Sequence, residues 1–277
     1  MGIADLLLRP LRSRVVTSRY PREASLPDRG DRGVPAFDPI TCTVSGACEA
    51  ACPTGAITID TAGAGRWSID HGRCISCGAC IRACPSGALR TANEIDPLAS
   101  TRQSLVRTWT LGTAGEGVST GTAEAEFKAA VSAKLRRSLQ IRHLDSGSCN
   151  GCDWEMNTLL NPVHDLQRLG IDFVASPRHA DLLLVTGAMT RNLAQAARLT
   201  YEAMPEPRLV VAMGACTSGG MFGASYATAG GIDAVLPVDV FISGCPPRPE
   251  SVIRGLLAAV GRMPTTTTSP ATPATGS

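Results

Sequence analysis

Two rhythms of apolar residues run along the chain, and the change between them divides it. From residue 138 to about 263, short apolar runs alternate with segments of helical period. SLQIRHLD, IDFVASP, DLLLVTG, RLVVAMG and DVFIS read as strands. Several of these are apolar at successive positions, as strands covered on both faces are. WEMNTLLNPVHDLQRLG places Leu159, Val163, Leu166 and Leu169 on one helical face and stops at Gly170. NLAQAARLTYEAM and PESVIRGLLAAVG also read as helices. Strands alternating with helices predict a parallel, doubly wound sheet, which binds ligands beyond the carboxyl ends of its strands.

Residues 34–92 follow a weaker rhythm. ITID and RWSI read as two strands joined through the turn TAGAG. Around these regions lie an Arg- and Pro-rich extension over 1–33 and a polar connector over 93–137. Within the connector, LGTAGEGVSTGTAE reads as a flexible linker and AEAEFKAAVSAKLRRS as a helix. The tail over 264–277 is of low complexity and is expected to be disordered.

Composition excludes some classes. The net charge of +2 offers no general attraction to nucleic acid, so no nucleic-acid partner is expected. No apolar run approaches the ~18 residues of a membrane-spanning helix. The first residues lack a small-residue cleavage site, which points to a cytoplasmic protein. The 11 cysteines are then the anomaly. In a reducing compartment, clustered cysteines bind metal or do redox chemistry more often than they pair as disulfides.

Seven of them fall in 34–92, where the sequence is duplicated. CEAACPTGAITID, from Cys48, matches CIRACPSGALRTA, from Cys80. Cys42 pairs with Cys74, Cys48 with Cys80 and Cys52 with Cys84. The second copy, CISCGACIRACP, is a complete C-x-x-C-x-x-C-x-x-x-C-P run, and the first carries Ser45 where the second carries Cys77. Such duplicated runs build small ferredoxins, in which each cysteine triplet takes its fourth ligand from the other copy. On that logic Cys74, Cys77, Cys80 and Cys52 hold a [4Fe–4S] cluster. Cys42, Cys48 and Cys84 form a second set with Ser45 at the vacancy. Three readings of that set stand open: a [3Fe–4S] cluster, a [4Fe–4S] cluster with oxygen on one iron, or packed thiols with no cluster. A zinc site is the bland alternative, but zinc ligands come as separated pairs.

The remaining cysteines, Cys149, Cys152, Cys216 and Cys245, each follow a predicted strand. They project from one edge of the sheet and can converge on another [4Fe–4S] cluster. Gly147, Gly151, Gly214 and Gly244 beside them are expected to let backbone N–H groups approach the sulfurs. The fold class is therefore an α+β ferredoxin-like N-terminal domain plus an α/β flavodoxin-like parallel-sheet C-terminal domain.

Taken in order, SLQIRHLDSGSCNGCDWE, SPRHADLLLVTGAMTRN, MGACTSGGMFG and DVFISGCPPRPE resemble the small, cluster-carrying subunit of group 4 [NiFe] hydrogenases, with formate hydrogenlyase as the nearest comparison. The equivalent complex I subunit is a more distant relative. The N-terminal part, with VVTSRYP before the duplication, resembles the ferredoxin-like subunit of the same assemblies. The chain thus looks like a fusion of two neighbouring subunits. The resemblance implies that Cys149, Cys152, Cys216 and Cys245 ligate the proximal cluster, and that C-N-G-C belongs to the hydrogenase branch, since complex I proteins place two adjacent cysteines there. It implies a non-catalytic electron-transfer subunit of an oxidoreductase complex. The expected partners are a hydrogenase-type large subunit, membrane-arm subunits, and a further iron–sulfur or formate dehydrogenase-like subunit. The chain would sit in the cytoplasm, peripheral to the inner membrane through those partners. A complex I-like quinone oxidoreductase lacking nickel is the alternative, and a free-standing iron–sulfur regulatory protein the reading from another class.

Weaker candidates remain. Glu155 reads as favourable charge at a helix N-terminus or, by resemblance, as a proton-relay carboxylate. Arg178 and His179 read as loop hydrogen-bonders or as charge compensation for the proximal cluster. His71, His143 and His164 show no metal-ligand spacing. GACTSGGMFGASYATAGG lacks the ending of a phosphate loop and reads as a wrap around the cluster or a docking loop. The arginines from Arg9 to Arg32 read as partner contacts, a solvated tail or a lipid contact.

Overall fold

In a computed structural model, the structure describes residues 15–23, 33–92, 96–115, 117–119 and 138–262. The tail, the connector helix and most of the Arg-rich extension lie outside these residues.

The apolar strands of the C-terminal region assemble as their pattern requires. β8 (Leu139–Asp145), β9 (Ile171–Phe173), β10 (Leu182–Thr186), β11 (Leu209–Met213) and β12 (Val240–Ile242) are parallel, in the order β9-β8-β10-β11-β12. Counted within the region this is 2-1-3-4-5, a common doubly wound order. Alternation of side chains across the central strands fills two layers. Leu182, Leu184, Leu209, Val211 and Met213 face one layer with Met156, Leu159 and Leu256. Leu183, Val185, Val210 and Ala212 face the other with Ala197. The helices supplying those partners are α3 (Gly151–Thr158), α4 (Arg191–Glu202) and α5 (Pro249–Ala259), and α5 is buried from Ser251 to Ala259. Each fully buried Leu or Val contributes about 1.5–3 kcal/mol.

The sheet is mixed, not wholly parallel. β5 (Leu98–Ala99) comes from the connector and pairs antiparallel with β12. Further along, β6 (Val106–Thr110) and β7 (Val118–Ser119) extend a second sheet. Its order is β2-β3-β6-β7, all antiparallel, where β2 (Ile57–Asp60) and β3 (Arg66–Asp70) form the expected hairpin. Part of the stretch read as linker is therefore strand. A ribbon of β1 (Pro35–Phe37) and β4 (Leu89–Thr91) flanks the duplicated region, whose short helices are α1 (Ala47–Ala50) and α2 (Ala79–Ala83).

The chain has only three Trp, and two of them build this smaller core. Phe37 stacks on Trp67 at 4.1 Å, and Trp109 meets Trp67 edge-on at 5.3 Å. Such pairs add about 0.5–1.5 kcal/mol beyond area burial, and here they join β1, β3 and β6.

The helix expected over 154–170 is cut short. α3 ends at Thr158, and only a 3₁₀ turn, Leu166–Leu169, resumes. Pro162 lacks an N–H and disfavours helical backbone at Asn161. The Asn161 carboxamide instead accepts the N–H groups of Val163 at 2.9 Å and His164 at 3.0 Å. Leu159 and Leu166 are still buried, but Val163 turns outward and is 44% exposed. The N-terminal segment crosses this bend: Ser18 N–H donates to the Val163 carbonyl at 2.7 Å, and Tyr20 is buried.

Candidate metal centres

The duplication is repeated in backbone conformation, residue for residue. Val44 and Ser76 both hold left-handed φ, 55° and 52°. Their N–H groups reach back to Cys42 and Cys74 sulfur, each at 3.4 Å. Positive φ is a genuine outlier for a β-branched residue, and here it aims a donor at a thiol. Cys48 and Cys80 then sit at the second positions of α1 and α2, and both are buried. Cys52 accepts Ala56 N–H at 3.2 Å and lies 3.7 Å from Thr54 Oγ1; Cys84 lies 3.7 Å from Ser86 Oγ.

Two cavities result, and each draws on both copies. One is lined by Cys74, Cys77, Cys80 and Cys52, the other by Cys42, Cys48, Cys84 and Ser45. Ser45 Oγ is 3.5 Å from Ala47 N and faces the same space as the three thiols.

Burial, with neighbouring thiols adding to it, pushes Cys80 up to about 12. Burial and the charges of Cys52 and Cys77 push Cys74 up to about 11, against the Ser76 hydrogen bonds. Cys52 and Cys84 run the other way: burial raises them, but the N–H groups around Thr54 to Ile57 and Ser86 to Leu89 win. A donor set of this kind suits a group that brings positive charge and takes thiolates. Trp67 adds to the fit. Its buried Nε1 lies near Cys48 and favours the thiolate there, although burial wins and holds that thiol above its ordinary value.

At the larger sheet, Cys149 and Cys152 follow β8, Cys216 follows β11 and Cys245 follows β12, all at carboxyl ends. Burial first, and then the charges of Cys245, Cys216, Asp153 and Cys149, raise Cys152 strongly. Cys216 is pushed up to about 11 by burial, then by Cys245 and Cys149. The four thiols are therefore within electrostatic reach of one another, with Cys149 and Cys245 exposed.

Two of the glycines beside them, Gly147 and Gly214, act differently from expectation. Gly147 N–H is taken by Asp145 at 2.8 Å, and Gly214 N–H by the Ile242 carbonyl at 2.8 Å, so neither is directed at sulfur. What Gly214 supplies is room: its φ is +98°, and a Cβ there would lie 2.8 Å from Cys152 Sγ.

Sequence reading missed Asp153, which occupies the first turn of α3 in place of the expected Glu155. One Asp153 oxygen accepts Thr186 Oγ1 at 2.9 Å and faces His143 Nε2 at 3.1 Å; the other accepts Ser148 Oγ. This ties the turn carrying Cys149 and Cys152 to β8 and β10. The signal was a carboxylate directly after the second cysteine. Glu155 is raised by burial, then by the charges of Glu250 and Asp96. Asp96 is itself buried and accepts Arg248 N–H and Ser251 Oγ, both at 2.9 Å. Arg178 and His179 lie just before β10, at the amino edge, opposite the cysteines. They cannot compensate charge there. His71 is buried and pushed down to about 3 by burial and then by Arg107.

The sequence comparisons agree with this arrangement. Residues 149–259 match the family model of the NADH ubiquinone oxidoreductase 20 kDa subunit, and residues 40–88 match that of the 4Fe-4S dicluster domain. A probable membrane-bound hydrogenase subunit, mbhJ, of Pyrococcus furiosus is 46% identical over 130 residues, which is 47% of this chain and 78% of the relative. Formate hydrogenlyase subunit 7 of Escherichia coli is 44% identical over 138 residues, 50% of this chain and 54% of the relative. The B-type subunit of the NADH-quinone oxidoreductase of Citrifermentans bemidjiense is 51% identical over 107 residues, 38% of this chain and 62% of the relative. The chain thus spans only about half of the formate hydrogenlyase subunit.

Fold, cysteine placement and matches together define an iron–sulfur subunit of the oxidoreductase class. Within that class, the chain belongs to the NADH ubiquinone oxidoreductase 20 kDa subunit family and carries a 4Fe-4S dicluster domain on the same polypeptide.

Proposed function

We propose that this chain is the electron-carrying subunit of a membrane-bound, formate hydrogenlyase-like hydrogenase complex, with the ferredoxin-like half fused to a flavodoxin-like half. Cys52, Cys74, Cys77 and Cys80 hold one [4Fe–4S] cluster. Cys149, Cys152, Cys216 and Cys245 hold another, next to a hydrogenase-type large subunit. Cys42, Cys48 and Cys84 hold a third, either [3Fe–4S] or [4Fe–4S] with Ser45 oxygen on the fourth iron. The observation that supports this best is the exchange of Cys52 and Cys84 between the two cavities.

Bound clusters supply one-electron chemistry. The polypeptide sets their potentials through burial, N–H groups aimed at sulfur and the charge nearby. The Val44, Ser76 and Ala56 donors stabilise thiolate charge and raise the potential of the group attached. No substrate bond breaks on this chain. Membrane-arm subunits and a further iron–sulfur or formate dehydrogenase-like subunit complete the assembly, with the chain on the cytoplasmic face, peripheral to the membrane. No helix among the described residues is long and apolar enough to cross a membrane.

A quinone-reducing complex without nickel is the second reading, favoured by the relatives named as quinone oxidoreductase subunits. The two-residue gap between Cys149 and Cys152 supports the hydrogenase branch instead. The test is iron and sulfide per chain after anaerobic purification, with EPR on the same sample. About 12 or 11 irons supports three clusters, and about 8 removes the Ser45 site. A chain with zinc and little iron overturns the proposal. Nickel in the co-purified large subunit separates the two complexes.

A further inference from the structure

The two cysteine-bearing halves meet where the turn after β3 touches the turn after β11. Asp70 closes β3, and its carbonyl accepts the N–H groups of Arg73 at 3.0 Å and Cys74 at 3.1 Å. Its Oδ1 accepts Gly72 N–H at 2.9 Å, so Asp70 shapes the turn that delivers Cys74. Across the boundary, Ser218 lies two residues past Cys216, and Gly219 N–H donates to the Cys216 carbonyl at 3.0 Å. One side chain holds both turns. Arg102 donates from its two terminal nitrogens to both Asp70 oxygens, at 2.8 and 2.7 Å, and from Nε to the Ser218 carbonyl at 2.7 Å. The pair is mostly shielded, with Arg102 18% and Asp70 19% exposed.

Beneath the clamp the two backbones touch. A Cβ at Gly220 would fall 1.9 Å from the Gly72 carbonyl oxygen, and one at Gly72 would fall 2.6 Å from Arg102 Cζ. Glycine at 220 allows the two backbones to approach, and glycine at 72 leaves the space that the Arg102 guanidinium occupies. A continuous protein path between Cys74 and Cys216 therefore runs through Arg73 and Gly72, across this contact, and back through the turn 217–220. None of the residues lining the Ser45 cavity takes part.

Resting on the electron-carrier reading, we infer that this contact is the crossing between the two halves, and that Arg102 is the positioning residue that sets its gap. Cys52, Cys74, Cys77 and Cys80 on one side and Cys149, Cys152, Cys216 and Cys245 on the other would hold the two groups. An electron crossing here would leave one oxidised by one and the other reduced by one, with no bond or proton moved. Tunnelling falls steeply with separation, so a loosened clamp slows the step without altering either group. The forked guanidinium fixes orientation as well as distance, which a lysine ammonium does not. The Ser45 site becomes the outer station, away from the crossing.

The experiment uses the full chain, purified anaerobically, with Arg102→Gln, Arg102→Lys and Gly220→Ala beside it. Three readouts are taken: iron per chain, EPR of the reduced protein, and the rate at which an electron delivered to the ferredoxin-like half reaches the other. The expected result is magnetic interaction between the two reduced groups in the parent chain. In the variants that interaction is weaker and the transfer several-fold slower, while iron and the separate g values hold. Should Gly220→Ala shed iron, the two Arg102 variants decide. Variants with full iron and unchanged interaction and rate overturn the inference. So does a parent chain whose two groups are both reduced without interacting. A parent chain with no [4Fe–4S] signal overturns the electron-carrier reading itself, a different and recognisable outcome.

Discussion

The carboxylate of Asp153 stands 3.1 Å from His143 Nε2 and accepts Thr186 Oγ1 at 2.9 Å, one residue beyond a cysteine at the edge of the larger sheet. Thr186 is fully buried at the end of β10. Truncating Asp153 removes the acceptor that Thr186, His143 and Ser148 share, leaves Thr186 Oγ1 and His143 Nε2 only each other at 2.8 Å, and frees the turn carrying Cys149 and Cys152. Asp153→Ala should destabilise by about 1–3 kcal/mol, the cost of stranding buried polar groups. It should also lower iron by about four per chain, since a [4Fe–4S] group is lost. Asp153→Asn keeps one acceptor and should retain most of the iron. Iron analysis beside thermal unfolding checks both.

Gly214 offers a sharper cut at the same site. An alanine there meets Cys152 Sγ at 2.8 Å in a backbone conformation that L residues rarely adopt. Strain of that kind costs on the order of 1–3 kcal/mol. Gly214→Ala should lose the C-terminal group while the EPR signals of the ferredoxin-like half persist. Retention of every signal would show that the glycine is only a convenience of the turn.

Ser45 faces the same cavity as Cys42, Cys48 and Cys84. Ser45→Cys completes a four-thiol set matching the second copy. The variant should carry about 12 irons per chain and show no three-iron signal when oxidised. An iron content stuck near 8 would mean that the cavity does not accept a cluster even with all four thiols.

His71 gives a pH dependence. Burial holds it neutral, with its pKa pushed down to about 3, against about 6.5 in an unfolded chain. The unfolded state therefore binds the extra proton between those values, and stability rises with pH through that window. The contribution is fully present above about 6.5 and is lost as pH falls. Between pH 7.5 and 5.5 the loss is on the order of 1 kcal/mol. His71→Leu should flatten the profile by that amount, read from unfolding midpoints. A parallel shift with unchanged slope would exclude His71 as the source.

Much of the site was legible because its chemistry is local. The offset between Cys42 and Cys74 repeats through Cys84, and four further cysteines follow strands whose apolar runs are unmistakable. Other features depend on partners far away in the chain. Leu98 and Ala99 are too short a run to announce β5, and they become a strand only because β12 offers an edge. The pattern Leu159, Val163, Leu166 has helical spacing, but Pro162 and the Asn161 side chain override it. Arg102 could not be singled out at all, because Asp70 and Ser218 are distant in sequence and nothing near Arg102 marks them. Gly147 and Gly214 were noticed for the right place and the wrong reason: spacing shows where backbone must come close, but not which oxygen has already taken its N–H.

The stretch 96–119 lends β5 to the six-stranded sheet and β6 and β7 to the four-stranded one. Each strand covers an edge that would otherwise present open backbone groups to neighbouring chains. A single break in this stretch, by a protease or by a gene split in two, leaves at least one sheet with a raw border. The shared seam thus guards both halves against sticking to their own kind, and it makes them awkward to part.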